Sequence, residues 1–109
     1  MLSDNDLNFL NDVNSLKIDA RSHELYNLRR VVGSINLTLN NITNDPAVAR
    51  SKLMGWEGKK VFVYCSGNSC DSSRDVARYI CFAGFDVYIY PAGWANLKNV
   101  AETQWTQSE

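Results

Sequence analysis

The chain is poor in the features that mark several functional classes. It has one histidine, His23, and three cysteines, Cys65, Cys70 and Cys81. The cysteines are separated by four residues and then by ten, which is not a zinc-ligand spacing, and a lone histidine does not complete a Cys/His site. So small and odd a cysteine count argues against a secreted disulfide framework and makes free thiols the default. Basic residues are not in excess, with 11 Lys and Arg against 12 Asp and Glu for a net charge of -1. A nucleic-acid binder would carry a basic stripe. No apolar run approaches the ~20 residues of a membrane span. The opening MLSDNDLNFLND holds Asp4, Asp6 and Asp12 and no early basic residue, unlike a secretory signal or a mitochondrial presequence. There are no repeats and no low-complexity segments. These absences lead us to expect a cytoplasmic protein without a nucleic-acid or membrane partner.

What is present suits one small globular domain over residues 1–109, 45% apolar and able to form a core without obligatory staples. Ser3 and Asp6 suggest a short capped helix to about Asp12, with Leu7 and Leu10 facing inward. LKIDA, Leu16 to Ala20, reads as a strand. Ser22 to Arg30 reads as a helical turn capped by Ser22, Val31 to Leu37 as an extended piece and Asn40 to Asp45 as a loop. Asp45-Pro46 is a helix start, with Asp as N-cap and Pro at the first helical position, and the helix is expected to reach about Trp56. VFVY, Val61 to Tyr64, is continuously apolar, as in a strand buried on both faces. SSRDVARYICFAG is a helix with Val76, Ala77, Ile80 and Cys81 as its apolar stripe and Gly84 as its stop. DVYIY is a strand, and a last helix runs from Trp94 to about Thr103. Strands alternating with helices define an α/β domain with a mainly parallel sheet.

Ligand sites in such sheets lie at the carboxyl ends of the strands. Cys65 stands there, directly after VFVY and before the polar loop Ser66, Gly67, Asn68 and Ser69. A loop of small residues leading into a helix can aim several backbone N–H groups at one centre, and the positive helix end adds to the field. A thiol in that centre is expected to be acidified and exposed, as a nucleophile must be. Cysteine is also among the commonest small buried residues, so the bare pattern leaves a structural thiol open beside the nucleophile.

Three segments carry a resemblance. IDARSHELYNLRRVVGSINL, VFVYCSGNSCDSS and AGFDVYIYPAGWANL resemble, in order and spacing, the N-terminal signature, the active-site strand and loop, and the closing Gly-Trp segment of single-domain rhodanese-like proteins. The resemblance covers nearly the whole chain. It implies a five-stranded, mainly parallel sheet with helices on both faces. The activity it implies is sulfur transfer through a cysteine persulfide, a role that falls by position on Cys65. No metal or organic cofactor is implied. The implied partners are a small-molecule or protein sulfur donor and a thiol acceptor, for a monomer or weak dimer. The substrate loop is Ser66, Gly67, Asn68, Ser69, Cys70, Asp71 and Ser72, with Arg74 following.

The chain departs from the family pattern where Cys70 replaces an arginine, and resembles a subgroup with a second loop cysteine. That makes Cys70 a possible resolving thiol, beside the readings of anion-cradle residue and filler. Arg74 either supplies the missing charge or is a solvated helix residue. Arg29, Arg30 and Val32 stand where the family usually has Gly, His and Pro. Cys81 is expected in the core, Asp19 and Arg21 as a tie between loops, and Trp56 and Trp94 as packing residues. Gly93 and Trp94 would form a pocket wall. His23 has no evident sequence neighbour as partner and is not expected to be a base. Alternatives to a sulfurtransferase are a non-catalytic interaction module of the same fold and a Cys-based arsenate reductase or phosphatase. The sixth residue after Cys65 is Asp71, whose carboxylate would repel a phosphate dianion where such phosphatases place an arginine.

Overall fold

A computed structural model describes residues 2–3, 14–67, 71–100 and 103–104. Its centre is β5 (Lys60–Tyr64), exposed only at Lys60 and buried over the next four residues. Alternation along the strand sends Val61 and Val63 into one apolar cluster and Phe62 and Tyr64 into another. A strand covered on both faces therefore needs the unbroken apolar run the sequence shows. Beside it lie β2 (Leu16–Asp19) and β6 (Asp86–Tyr90), flanked in turn by β4 (Ile35–Asn36) and β1 (Leu2–Ser3). The sheet order is β1-β6-β5-β2-β4, and each neighbouring pair is parallel.

On one face pack α3 (Pro46–Leu53) and α4 (Ser72–Phe82), which bury Ala49, Leu53, Val76, Ala77 and Ile80. Each large aliphatic side chain removed from water there contributes about 1.5–3 kcal/mol. On the other face α5 (Gly93–Val100) sets Leu97 against Phe62, Tyr64 and Tyr90. Two shorter helices, α1 (His23–Leu28) and α2 (Leu39–Asn44), complete the helical set among the described residues. A two-stranded antiparallel sheet pairs β3 (Arg30–Val31) with β7 (Thr103–Gln104).

The α/β class and the parallel sheet agree with the sequence reading; several boundaries do not. Ser3 is no helix cap but lies in β1, paired with Ile89 of β6; Asp6, Leu7, Leu10 and Asp12 lie outside the described residues. Asn40–Asp45 is not a loop. Thr38 and Asn41 form a reciprocal capping box that starts α2, supplying partners for end groups that the turn-forming composition had suggested were non-helical. The extended piece Val31–Leu37 is broken by Gly33 at φ 82, so its two halves join different sheets. The helix from Pro46 ends at Leu53, with Gly55 at φ 91 beyond it, rather than at Trp56. Likewise α5 stops at Val100 instead of Thr103, which belongs to β7.

Candidate functional site

The parallel register aligns the strand ends. Asn36 pairs with Asp19, Asp19 with Tyr64 and Tyr64 with Tyr90. The chain leaves β2 for β4 on one side and later builds β5 and β6 on the other. The crevice between β2 and β5 is thus the topological switch point, where α/β sheets place ligands.

Asp19 organises this edge and is fully buried. Its Oδ1 accepts the Arg21 backbone N–H at 2.8 Å, and its Oδ2 accepts Arg21 Nη2 at 2.7 Å and the Tyr64 hydroxyl at 2.8 Å. Arg21 Nη2 also donates to the Arg29 carbonyl at 2.6 Å, and the Val31 N–H donates to Tyr64 Oη at 3.3 Å. Asn36 Nδ2 donates to the carbonyls of Asp19 and Arg21, both at 2.9 Å. The Asp19–Arg21 pair thus ties the loops after β2, α1 and β5 together, as expected, and the buried charges are paired and hydrogen-bonded as burial requires. Tyr64 is a member the sequence concealed, because it reads as the last apolar residue of VFVY. Burial pushes its hydroxyl well above the ordinary tyrosine value, and the nearby Asp19 carboxylate pushes in the same direction.

Cys65 follows β5 directly. It is 3% exposed, against the expectation of an exposed thiol, and the start of α5 lies against its backbone. The backbone N–H of Trp94 donates to the Cys65 carbonyl at 2.7 Å and that of Ala95 to the Ser66 carbonyl at 2.9 Å. These are end groups of α5 that have no partner within the helix. In a trans peptide the C=O and the following N–H point in opposite directions. Drawing the Cys65 and Ser66 carbonyls toward α5 therefore turns the N–H groups of Ser66 and Gly67 away from it. The approach is close because Gly93 has φ 61 and no side chain. A Cβ there would lie 2.6 Å from the Cys65 carbonyl oxygen and 2.8 Å from the Gly67 nitrogen.

The other expected site residues are placed as follows. Ser66 is exposed and Gly67 half-buried, while Asn68, Ser69 and Cys70 lie outside the described residues. Asp71 is the N-cap position of α4 but makes no side-chain cap hydrogen bond, and Ser72 opens the helix. Arg74 is exposed and sits 3.9 Å from Asp71. The Cys65 sulfur is held in a disulfide, whereas Cys81 is a free thiol, half-buried against the core. Trp56 packs on the core and Trp94 on the opposite apolar cluster. Trp94 also lies under two guanidinium groups, Arg21 at 4.3 Å and Arg29 at 5.8 Å from the ring centroid. His23 does have partners, contrary to expectation: Asn27 Nδ2 at 2.9 Å and Asn36 Oδ1 at 3.4 Å. Asn27 is one helical turn on, the spacing at which helix side chains meet. Among the described residues no group of three or more His, Cys, Asp or Glu is arranged to hold a metal ion, and no helix is long and apolar enough to cross a membrane.

A parallel sheet with a cysteine at its switch point, its carbonyl held by a helix start, defines an α/β protein with a cysteine-bearing loop at the strand ends. The rhodanese-like domain model matches residues 7–99, and the chain belongs to that family. Solved structures share the fold. The BH2092 protein from Bacillus halodurans is 23% identical, with TM-score 0.70 over 88% of this chain and 67% of its own. The Rhodanese_3-like domain of the Alr3790 protein from Anabaena sp. is 19% identical, with TM-score 0.67 over 86% and 95%. A rhodanese with anions from E. coli is 24% identical, with TM-score 0.59 over 84% and 98%. No curated protein matches the chain.

Proposed function

We propose that this rhodanese-like protein is a sulfurtransferase that carries sulfane sulfur on Cys65. The observation that carries the reading is the contact between α5 and the cysteine loop. It turns the Ser66 and Gly67 N–H groups away from the helix, so that they are available to an anion beside Cys65. The start of α4 adds its field, since Asp71 leaves the first-turn N–H groups without a side-chain acceptor. Both features stabilise a thiolate and, after transfer, a persulfide.

The Cys65 thiolate attacks the outer sulfur of thiosulfate. A new S–S bond forms to Cys65, the S–S bond of the donor breaks, and sulfite leaves with the electron pair. A small-molecule or protein persulfide donor reacts in the same way: Cys65 attacks its outer sulfur and the donor's thiolate leaves. Cyanide or an acceptor thiolate then attacks the terminal sulfur and restores Cys65, a ping-pong cycle whose electrons balance without a cofactor. The disulfide at Cys65 favours a further step in which Cys70 acts as a resolving thiol. Its thiolate attacks the Cys65 sulfur, expels hydrosulfide and closes a Cys65–Cys70 disulfide, which an external thiol reopens by exchange.

The test is thiocyanate formation from thiosulfate and cyanide by reduced protein, with mass analysis of the Cys65 peptide. We expect a gain of roughly 32 Da, one sulfur, and loss of both signals in Cys65→Ala. Activity retained in Cys65→Ala would overturn the reading. An unmodified thiol with every donor would favour instead a binding module of the same fold. For Cys70→Ser we expect the persulfide to persist and hydrosulfide release to require added thiol.

A further inference from the structure

The end of the molecule away from Cys65 leaves apolar surface uncovered. Helices α3 and α4 both stop there, ahead of Gly55 at φ 91 and Gly84 at φ 99, and the chain turns back into β5 and β6. These are five-residue strands, so their amino ends lie about 13 Å from the carboxyl ends where Cys65 stands. Between the two helix ends is a hollow of about 480 Å³. Leu53, Tyr79 and Phe85 line it and also pack on the core. Met54 and Phe82 line it too, but they are 70% and 83% exposed, more than any other large apolar residue among the described residues. Phe82 follows Tyr79 by three residues, on the same side of α4, and so stands one turn beyond the covered part of that helix. Single exposed apolar residues are ordinary, but two of them beside one apolar hollow mark a contact surface.

The same hollow carries one charge of each sign, from Arg50 on α3 and from Glu57. Among the described residues Arg50 makes no ion pair or side-chain hydrogen bond. Glu57 uses Oε1 to accept the Gly55 N–H at 3.0 Å and forms no ion pair with Arg50. A projecting ring beside a hollow, and a cation beside an anion, make a surface complementary to itself. Such a surface closes about a two-fold axis, where residue i meets j and j meets i. A small molecule lodged in the hollow would leave the outer side of Phe82 in water, whereas a facing copy covers it.

We propose that this hollow is the contact of a homodimer: Phe82 of each copy enters the hollow of the other, and each Arg50 faces Glu57 of the partner subunit. A buried aromatic side chain removes about 150–250 Å² from water. Two Phe82 and two Met54 side chains therefore make a contact of the weak class, below about 1,200 Å² in total, with a Kd of roughly 10 μM to 1 mM. Both Cys65 loops stay open in this pairing, so it stands or falls independently of sulfur transfer.

The experiment is sedimentation equilibrium of the reduced, full-length chain from about 10 μM to 1 mM, with reductant excluding disulfide-linked pairs. The mean mass is expected to rise from the 12.3 kDa of one chain toward twice that value. Phe82→Asp should weaken the association more than about tenfold with its melting temperature unchanged, because the side chain it replaces is exposed. Arg50→Glu and Glu57→Arg should each raise Kd by about 3–10-fold, since like charges then face each other twice across the axis. The double variant Arg50→Glu/Glu57→Arg should restore the wild-type Kd. Amide exchange at the two ends of the concentration range should gain protection over residues 50–57 and 79–85. A chain that stays monomeric to about 1 mM, whatever else its hollow binds, overturns the proposal. So does a dimer that survives Phe82→Asp, or one that the paired charge reversal fails to restore.

Discussion

Gly93 shows how much one missing side chain decides. Its φ of 61 and the 2.6 Å separation from the Cys65 carbonyl oxygen that a Cβ would have leave alanine two penalties, backbone strain and a clash with backbone atoms. We expect Gly93→Ala to cost about 1–3 kcal/mol in urea unfolding and to lower persulfide formation at Cys65 more than its stability loss explains. Full loading of the variant at a temperature where it is folded would show that the close approach does not matter. Tyr64 supplies a second residue-scale case. The fold raises its pKa above the ordinary 10.0, first through burial and then through Asp19, so folding favours the protonated phenol. That stabilisation is complete below about pH 10 and is lost as the pH climbs beyond it. Unfolding midpoints between about pH 8 and pH 11 should fall for the wild type and fall less steeply for Tyr64→Phe, with Tyr26, also raised by burial, retaining part of the slope. At neutral pH Tyr64→Phe should cost about 1–3 kcal/mol, because buried Asp19 loses a donor. Neither role is legible in the sequence: a phenol at the end of an apolar run gives no sign of its partner, and the resemblance ties Gly93 only to a pocket wall.

At the scale of elements, local capping explains both what was legible and what was not. Asp45 closes α2, its N–H donating to the Asn41 carbonyl at 2.8 Å, and opens α3, its carboxylate accepting from the Val48 N–H at 3.4 Å. The Asp-Pro pair announced the second role from sequence alone, since both residues act through their own geometry. The start of α2 was missed because its capping box uses Asn41 in place of the usual acidic or glutamine partner. Asp45→Ala should cost about 0.5–2 kcal/mol in thermal or urea unfolding without affecting sulfur transfer, since α3 packs on the face opposite α5. An activity loss beyond the unfolded fraction would contradict that separation.

For the whole molecule, the two faces of the sheet make a further prediction. Ile80 and Leu97 are both fully buried, one on α4 and the other on α5. Truncating either to alanine should cost about 2–5 kcal/mol. Only Leu97→Ala should also change the thiol, because α5 is the helix whose first N–H groups hold the Cys65 and Ser66 carbonyls. Comparing Cys65 alkylation rates in the two variants at equal folded fraction checks this, and equal rates would refute it.

The alternation of apolar strands with capped helices specified the α/β class and the parallel sheet, since each element's burial pattern is written in its own residues. The place of Cys65 after a doubly buried strand was determined in the same local way. What only the tertiary structure decided are contacts between segments far apart in the chain: Tyr64 reaching Asp19, the start of α5 meeting the Cys65 carbonyl, and Arg29 reaching Trp94. Capping and periodicity are set by neighbours within a helical turn or along one strand. These contacts arise only when the parallel register brings the strand ends side by side.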